Sequence, residues 1–281
     1  MRLRFFFYFA MLMWLCTGCG GVDCEAKGQA NPEHVQQLLT TGNCKDCDLG
    51  GLRLVSKNLA NADLRNAELT GVEFSSTNLR GANMEGAEFR WQHAVSSWTG
   101  CNVDYRSYWS EVDLREANLS KANLQRINAD DVDLSNANLS YSDLLLSEFH
   151  RVNLEGASLK NSRSRGSEFF DVTLRRSDVR GANISNSKVR LSDLRYADFT
   201  SATMIGTEFI DVKLSGAIFE RSDLSLAKFK GQDLTGVNLK QANLQEANLT
   251  GANLTGANLT GANLTGANLN NAIMPNGAVH K

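Results

Sequence analysis

At 281 residues the chain has room for one or two domains. Its 29 Lys and Arg against 31 Asp and Glu leave a formal net charge of −2, which excludes a global field steering it to nucleic acid or acidic lipid. The only two prolines, Pro32 and Pro275, bracket a long stretch rich in Asn, Leu and Ala. That bias is periodic and every period carries an apolar residue, so it reads as a buildable core and not as disorder.

Taken in chain order, residues 1–18 have the layout of an export signal. Arg2 and Arg4 precede an apolar run from Phe5 to Leu15, too short for the roughly 20 residues of a spanning helix. The run ends at Cys16-Thr17-Gly18-Cys19, which resembles the lipobox of bacterial lipoproteins. The family prefers Leu three residues before the modified cysteine; here Cys16 stands there, with Leu15 one further back. The resemblance implies lipidation of Cys19, a membrane anchor and a periplasmic or equivalent lumenal address. Cleavage after Ala30 is the alternative, and a cytosolic protein with a hydrophobic tail the third reading. Residues 19–30 then form a polar tether. Over 31–42, Asn31 suits an N-cap, Pro32 the first helical position and Gly42 a stop, with Val35, Leu38 and Leu39 on one face. So short a helix needs an apolar support, which the open end of a solenoid would supply.

Residues 43–274 repeat every five. Stepping from Leu49 to Met274 gives 46 centres, and only Ala94, Thr99, Asp104, Trp109, Ala129 and Ser164 lack a large aliphatic residue or Phe. Two residues before most centres sits a small or β-branched residue, such as Ala62, Val72 or Ser142. A period of five is neither helical nor strand-like; it is a coil-forming period. A quarter turn per repeat would point both residues inward. The motif Ala-Asp/Asn-Leu, literal at Ala62-Asp63-Leu64, Ala117-Asn118-Leu119 and throughout the C-terminal repeats, resembles the pentapeptide-repeat family. The resemblance implies an all-β fold: a right-handed quadrilateral β-helix, four repeats per coil, with a short N-terminal capping helix. About eleven coils at β spacing make a rod on the order of 50 Å long. Asn or Asp before each centre can bond local backbone at a turn. At the far end, 275–281 is a tail. Its Met274-Pro275-Asn276-Gly277 resembles a termination signature of exported bacterial members, and Pro275 cannot continue a ladder. That end is the less protected one and invites weak end-to-end self-association.

Four features could carry function. Cys44 and Cys47 form a C-x-x-C at the seam between helix and first coil; a structural disulfide of this pair or involving Cys24 is preferred over free thiols, and over metal or redox work. Residues 91–110 lose the inward pattern yet keep the register. They read as a divergent aromatic coil repacked with Trp and Tyr, or as a partner surface of Trp91, His93, Trp98, Tyr105, Arg106, Tyr108 and Trp109. Between Lys160 and Arg195 nine basic residues meet four acids, so Arg175, Arg176, Arg180, Arg190 and Arg195 form an anion-binding belt unless they are locally paired, the reading preferred here. Leu145, Leu146, Phe170, Ile205 and Ile210 are scattered apolar residues at outward positions. No nucleophile–base pair or metal set stands out, and no cofactor is implied. The expectation is therefore a non-catalytic exported scaffold for an unknown protein partner, with no nucleic acid expected. Glycan or ligand binding through residues 91–109 is the alternative. A DNA-mimicking topoisomerase inhibitor, a role some family members resemble, is remote, because it needs a strongly acidic cytoplasmic rod.

Overall fold

The structure, a computed structural model, describes residues 30–89, 93–95, 102–104 and 106–281. The expected signal, Cys19 and all of the tether but Ala30 lie outside them. The fold is a β-solenoid of parallel coils with one short helix, α1 (Pro32–Thr41), at its N-terminal end. Asn31 caps α1 by accepting from the Glu33 amide, and Gly42, with φ of 68°, ends it. Leu38 is buried from α1 into the first coil. Cys44 and Cys47 are joined by a disulfide buried beneath α1, where His34 Nδ1 also accepts from the Asp48 amide of the first coil (2.9 Å).

Each repeat is one side of a square coil. The centre and the small residue two before it point in and are buried. The residue between them lies on the flat outer wall, and the two after the centre turn the corner. Coils are joined by ladders: the Leu244 amide donates to the Asn263 carbonyl (2.8 Å) and the Asn263 amide to the Ala242 carbonyl (2.9 Å). The second corner residue is left-handed, as at Asn61 with φ of 59°, which suits a turn closed by the Ala62 amide on the Leu59 carbonyl. Asn or Asp before the centre accepts from the amide two residues on, as Asn248 does from Thr250 (3.1 Å), so each repeat carries its own turn clamp.

One wall differs from the other three. Its repeats extend into three-residue strands, which stack as one parallel sheet: β1 (Arg53–Val55), β2 (Glu73–Ser75), β5 (Tyr108–Ser110), β6 (Asn128–Asp130), β7 (Glu148–His150), β8 (Glu168–Phe170), β9 (Lys188–Arg190) and β10 (Glu208–Ile210). The other walls are held by isolated bridges.

The structure corrects the reading of residues 91–110 as one full coil. Tyr108 pairs with Asn128, 20 residues on, but Glu73 pairs with Tyr108, 35 residues on. The ladder therefore steps over fifteen residues, three repeats and not four. Within them β3 (His93–Val95) and β4 (Asn102–Asp104) pair antiparallel with each other, in a sheet separate from the rod's. Fifteen is a multiple of five, so the repeat register survives, while the coil count does not. Trp109 then occupies the place that Ala94 holds in the sequence count, directly above Phe74.

Candidate functional site

With the coil phase known, outward residues can be assigned to walls. The apolar residues that look scattered in the sequence gather along the strand wall and its two corners. Leu145, Leu146, Ile205 and Leu226 line one corner, Phe170 and Ile210 lie on the strands, and Leu191 sits on the other corner. Tyr108, Leu146, Phe170, Leu191 and Leu226 are all exposed, Leu191 by 52%. His150 and Phe170 lie side by side on this wall, ring centroids 5.8 Å apart.

Three of these leucines carry a further cost. Leu146, Leu191 and Leu226 occupy the left-handed corner position, with φ of 58°, 53° and 60°. Glycine or Asn is the low-strain choice there, and a bulky residue is an outlier. Leu146 finds one compensation: Gly166, one coil on, leaves room for it, since a Cβ on Gly166 would stand 2.8 Å from Leu146 Cδ2. Tyr196 lies over Gly216 in the same way, on another corner. At Leu191 and Leu226 a left-handed backbone and an exposed apolar side chain combine.

The charges of the wall are largely matched. Arg106 meets Glu148 (3.3 Å), Lys188 meets Glu168 (2.6 Å), Arg151 meets Asp130 (2.6 Å), and Arg190 faces Glu208 (3.8 Å). Lys188 is the main cause that holds the Glu168 carboxyl below its usual range, against the opposing effect of burial. A cleft of about 200 Å³ opens where the wall meets the chain returning from β4, lined by Arg106, Arg126, Leu146, Ser147, Glu148 and Glu168 among others. Apolar side chains among paired charges suit a protein surface better than a phosphate backbone.

The residues singled out from sequence fall differently. Trp109 is 1% exposed, packed against Phe74 and Phe89 with centroids 6.4 and 5.2 Å away, so it is core and no part of a surface. Tyr108 beside it is exposed because strand neighbours alternate between faces. Arg106 is partly buried. His93 lies in β3; Trp91, Trp98, Tyr105 and Cys24 lie outside the described residues.

The basic belt is for the most part neutralised. Arg180 binds Asp178 and Arg195 binds Asp193 through short bidentate contacts, and Arg176 reaches Glu155 (3.7 Å). Arg180 is the main cause that holds Asp178 below its usual range. Arg175 forms no ion pair among the described residues, but together with Arg195 its charge holds the Asp193 carboxyl low against the opposing effect of burial. The stacking supplies acids from outside the segment, Asp143, Glu155 and Glu208, which a count along the chain misses.

The repeat model described as pentapeptide repeats matches in eight copies, over residues 43–81, 58–91, 110–144, 147–186, 192–231 and 233–273. The chain belongs to the pentapeptide-repeat family. The matches pause around the segment that the ladder steps over, between residues 91 and 110. Among solved structures, this pentapeptide-repeat chain is similar to HetL, a protein of Nostoc sp. strain PCC 7120 involved in heterocyst differentiation regulation. Identity is 29% over 85% of this chain and 91% of that one, with a TM-score of 0.30. It is 35% identical to a thylakoid-lumen member of Arabidopsis thaliana over 37% of this chain and 66% of that one, TM-score 0.19. It is 18% identical to QnrB1, a plasmid-mediated fluoroquinolone resistance protein, over 78% and 90%, TM-score 0.35. No curated protein sequence matches.

Proposed function

We propose that this pentapeptide-repeat chain is an exported, non-catalytic scaffold, tethered to a membrane through lipidated Cys19, that presents its strand wall to a protein partner. The observation that carries the reading is the gathering of exposed apolar residues, three of them in strained corners, on the one wall built of continuous strands. The wall is flat, its charges are paired, and its apolar side chains recur from coil to coil. These features favour a protein ligand over an anionic polymer. The address rests on the basic and apolar N-terminal segment and on Cys19.

Two measurements test the two halves. Mass spectrometry of the N-terminal peptide from cells should find Cys19 first in the mature chain and diacylated; an intact Met1 terminus in the cytosol contradicts the address. Affinity capture with a Phe170→Ser/Leu191→Gly/Ile210→Ser chain should lose whatever the native chain retains, with the rod still folded by far-UV circular dichroism. Equal retention by both chains contradicts the wall.

A further inference from the structure

The strand wall carries its charges in an order that is its own complement when reversed. Glu168, Lys188, Glu208 and Lys228 stand one above another on successive coils. Turned end for end about a point between Lys188 and Glu208, this column sets each acid against a base. The corner beside it has the same alternation in Asp171, Arg190, Asp211 and Lys230. Asp171, Asp211 and Lys230 are exposed and form no ion pair among the described residues, and the pair of Arg190 with Glu208 is long, at 3.8 Å.

The same turn brings apolar residues together. Exposed Leu226 comes over Gly166, the glycine that leaves room for Leu146. On the other corner exposed Leu191 comes beside Ile210, and Phe170 beside Gly231. The left-handed leucines of the wall thus gain apolar neighbours that the single rod does not give them.

We infer that the strand wall is an interface for a second copy of this chain, packed face to face and antiparallel about a two-fold axis between the coils of Lys188 and Glu208, which rests on the wall reading and names its partner. Lys188 then meets Glu208 of the other copy, Glu168 meets Lys228, Asp171 meets Lys230 and Arg190 meets Asp211, each contact made twice. The occupant is a second copy because the wall matches itself in this one register. Parallel copies at equal height would set Lys188 against Arg190 and Lys228 against Lys230. An axis moved half a coil, onto Lys188, would set Lys188 against itself and Glu168 against Glu208. Such an isologous contact closes at two subunits. Four coils span only about 20 Å, so the pair is weak and forms as concentration rises. It sends the two α1 ends in opposite directions, which suits copies reaching toward each other from separate attachment points.

Sedimentation equilibrium of the full-length chain in density-matched detergent tests this. A monomer–dimer equilibrium with no larger species is expected. Asp171→Lys and Lys230→Asp, each alone, should weaken it at least about tenfold, because each sets like charges together twice. The fold should accept both, since neither residue has an ion pair to lose among the described residues and Arg151 already stands in the left-handed column of Asp171, with φ of 54°. The two variants mixed should pair with each other, and both changes in one chain should restore pairing. Lys213→Asp, on the next wall, should leave pairing unchanged. A monomer at every concentration, a dimer indifferent to both single changes, variants that fail to pair when mixed, or growth beyond two copies would each overturn the inference. A monomer whose affinity capture is still lost with Phe170→Ser/Leu191→Gly/Ile210→Ser would remove the second copy and keep the wall. A dimer that this triple variant leaves intact, with capture also unchanged, would remove both.

Discussion

Residues 106–230 and residues 247–274 share one register and one backbone path. In the second stretch every repeat is close to Ala-Asn-Leu-Thr-Gly: glycine holds the left-handed corners up to Gly266 and Asn271 the last, and the outer walls are uncharged. In the first, the left-handed corners hold Arg126, Tyr141, Leu146, Arg151, Arg176, Leu191, Tyr196, Arg221 and Leu226. Its walls carry most of the ion pairs between coils among the described residues, and its strand wall and corners hold the exposed Tyr108, Leu146, Phe170 and Leu191, while Tyr141 and Tyr196 stand exposed elsewhere. The difference separates what the fold needs from what it only tolerates. The bare repeat follows the same coil path, so the left-handed leucines and tyrosines of the middle stretch are not what sets that path.

The comparison is broken most severely through the register. Inserting one residue after Thr250 should turn the following centres out of the core and unfold the rod beyond it, seen as loss of far-UV signal. Deleting residues 91–105 should do little, because fifteen residues are what the ladder steps over; melting should stay within a few degrees. Deleting residues 91–110 should cost far more, since it removes Trp109 from the core. Next in size, Leu244→Ala should cost about 2–5 kcal/mol by denaturant unfolding, as for any buried leucine in a packed core.

A smaller and opposite effect sharpens the contrast. Leu191→Gly should raise stability by up to about 1 kcal/mol, by relieving a left-handed leucine, while weakening partner capture. Gly216→Ala should destabilise more than Gly236→Ala. Both have φ near 70°, but a Cβ at 216 would stand 2.5 Å from Tyr196 Cδ1, whereas the one at 236 meets nothing within 4 Å. Adding Tyr196→Gly should abolish the difference.

The smallest effect is in pH. Asp63, Asp113 and Asp178 have carboxyls held below the usual 3.8, chiefly by hydrogen bonds from Arg65, Arg115 and Arg180. A lowered folded-state value contributes stability above the unfolded value, and that stability is lost as pH falls through the folded one. Amide exchange at pH 3 against pH 6 should therefore loosen coils around these pairs and spare residues 250–270, which carry no carboxylate side chain. Arg180→Gln should flatten the acid response around Asp178.

The architecture was legible because five-residue centres leave no other economical path for the chain. What the register hides is the coil phase: a quarter turn looks alike on every wall, so fifteen residues and twenty cannot be told apart by counting centres. That one ambiguity left the place of Trp109 open between a repacked core and a partner surface. Leu145, Phe170 and Ile210 looked scattered for another reason: they gather only when residues are compared at the 20-residue coil spacing and not along the chain. The pairing within the belt was partly visible as Asp178-Val179-Arg180 and Asp193-Leu194-Arg195, where carboxylate and guanidinium flank one centre. The acids arriving from neighbouring coils were not.

The strand wall as the working surface is tested most directly by photo-crosslinking in cells, with a reactive side chain placed in turn at 170, 191 and 210 and, on another wall, at 138 and 178. The account predicts a discrete protein adduct from the first three positions and none from the last two. Adducts of equal yield from all five, or from 138 and 178 alone, would contradict it.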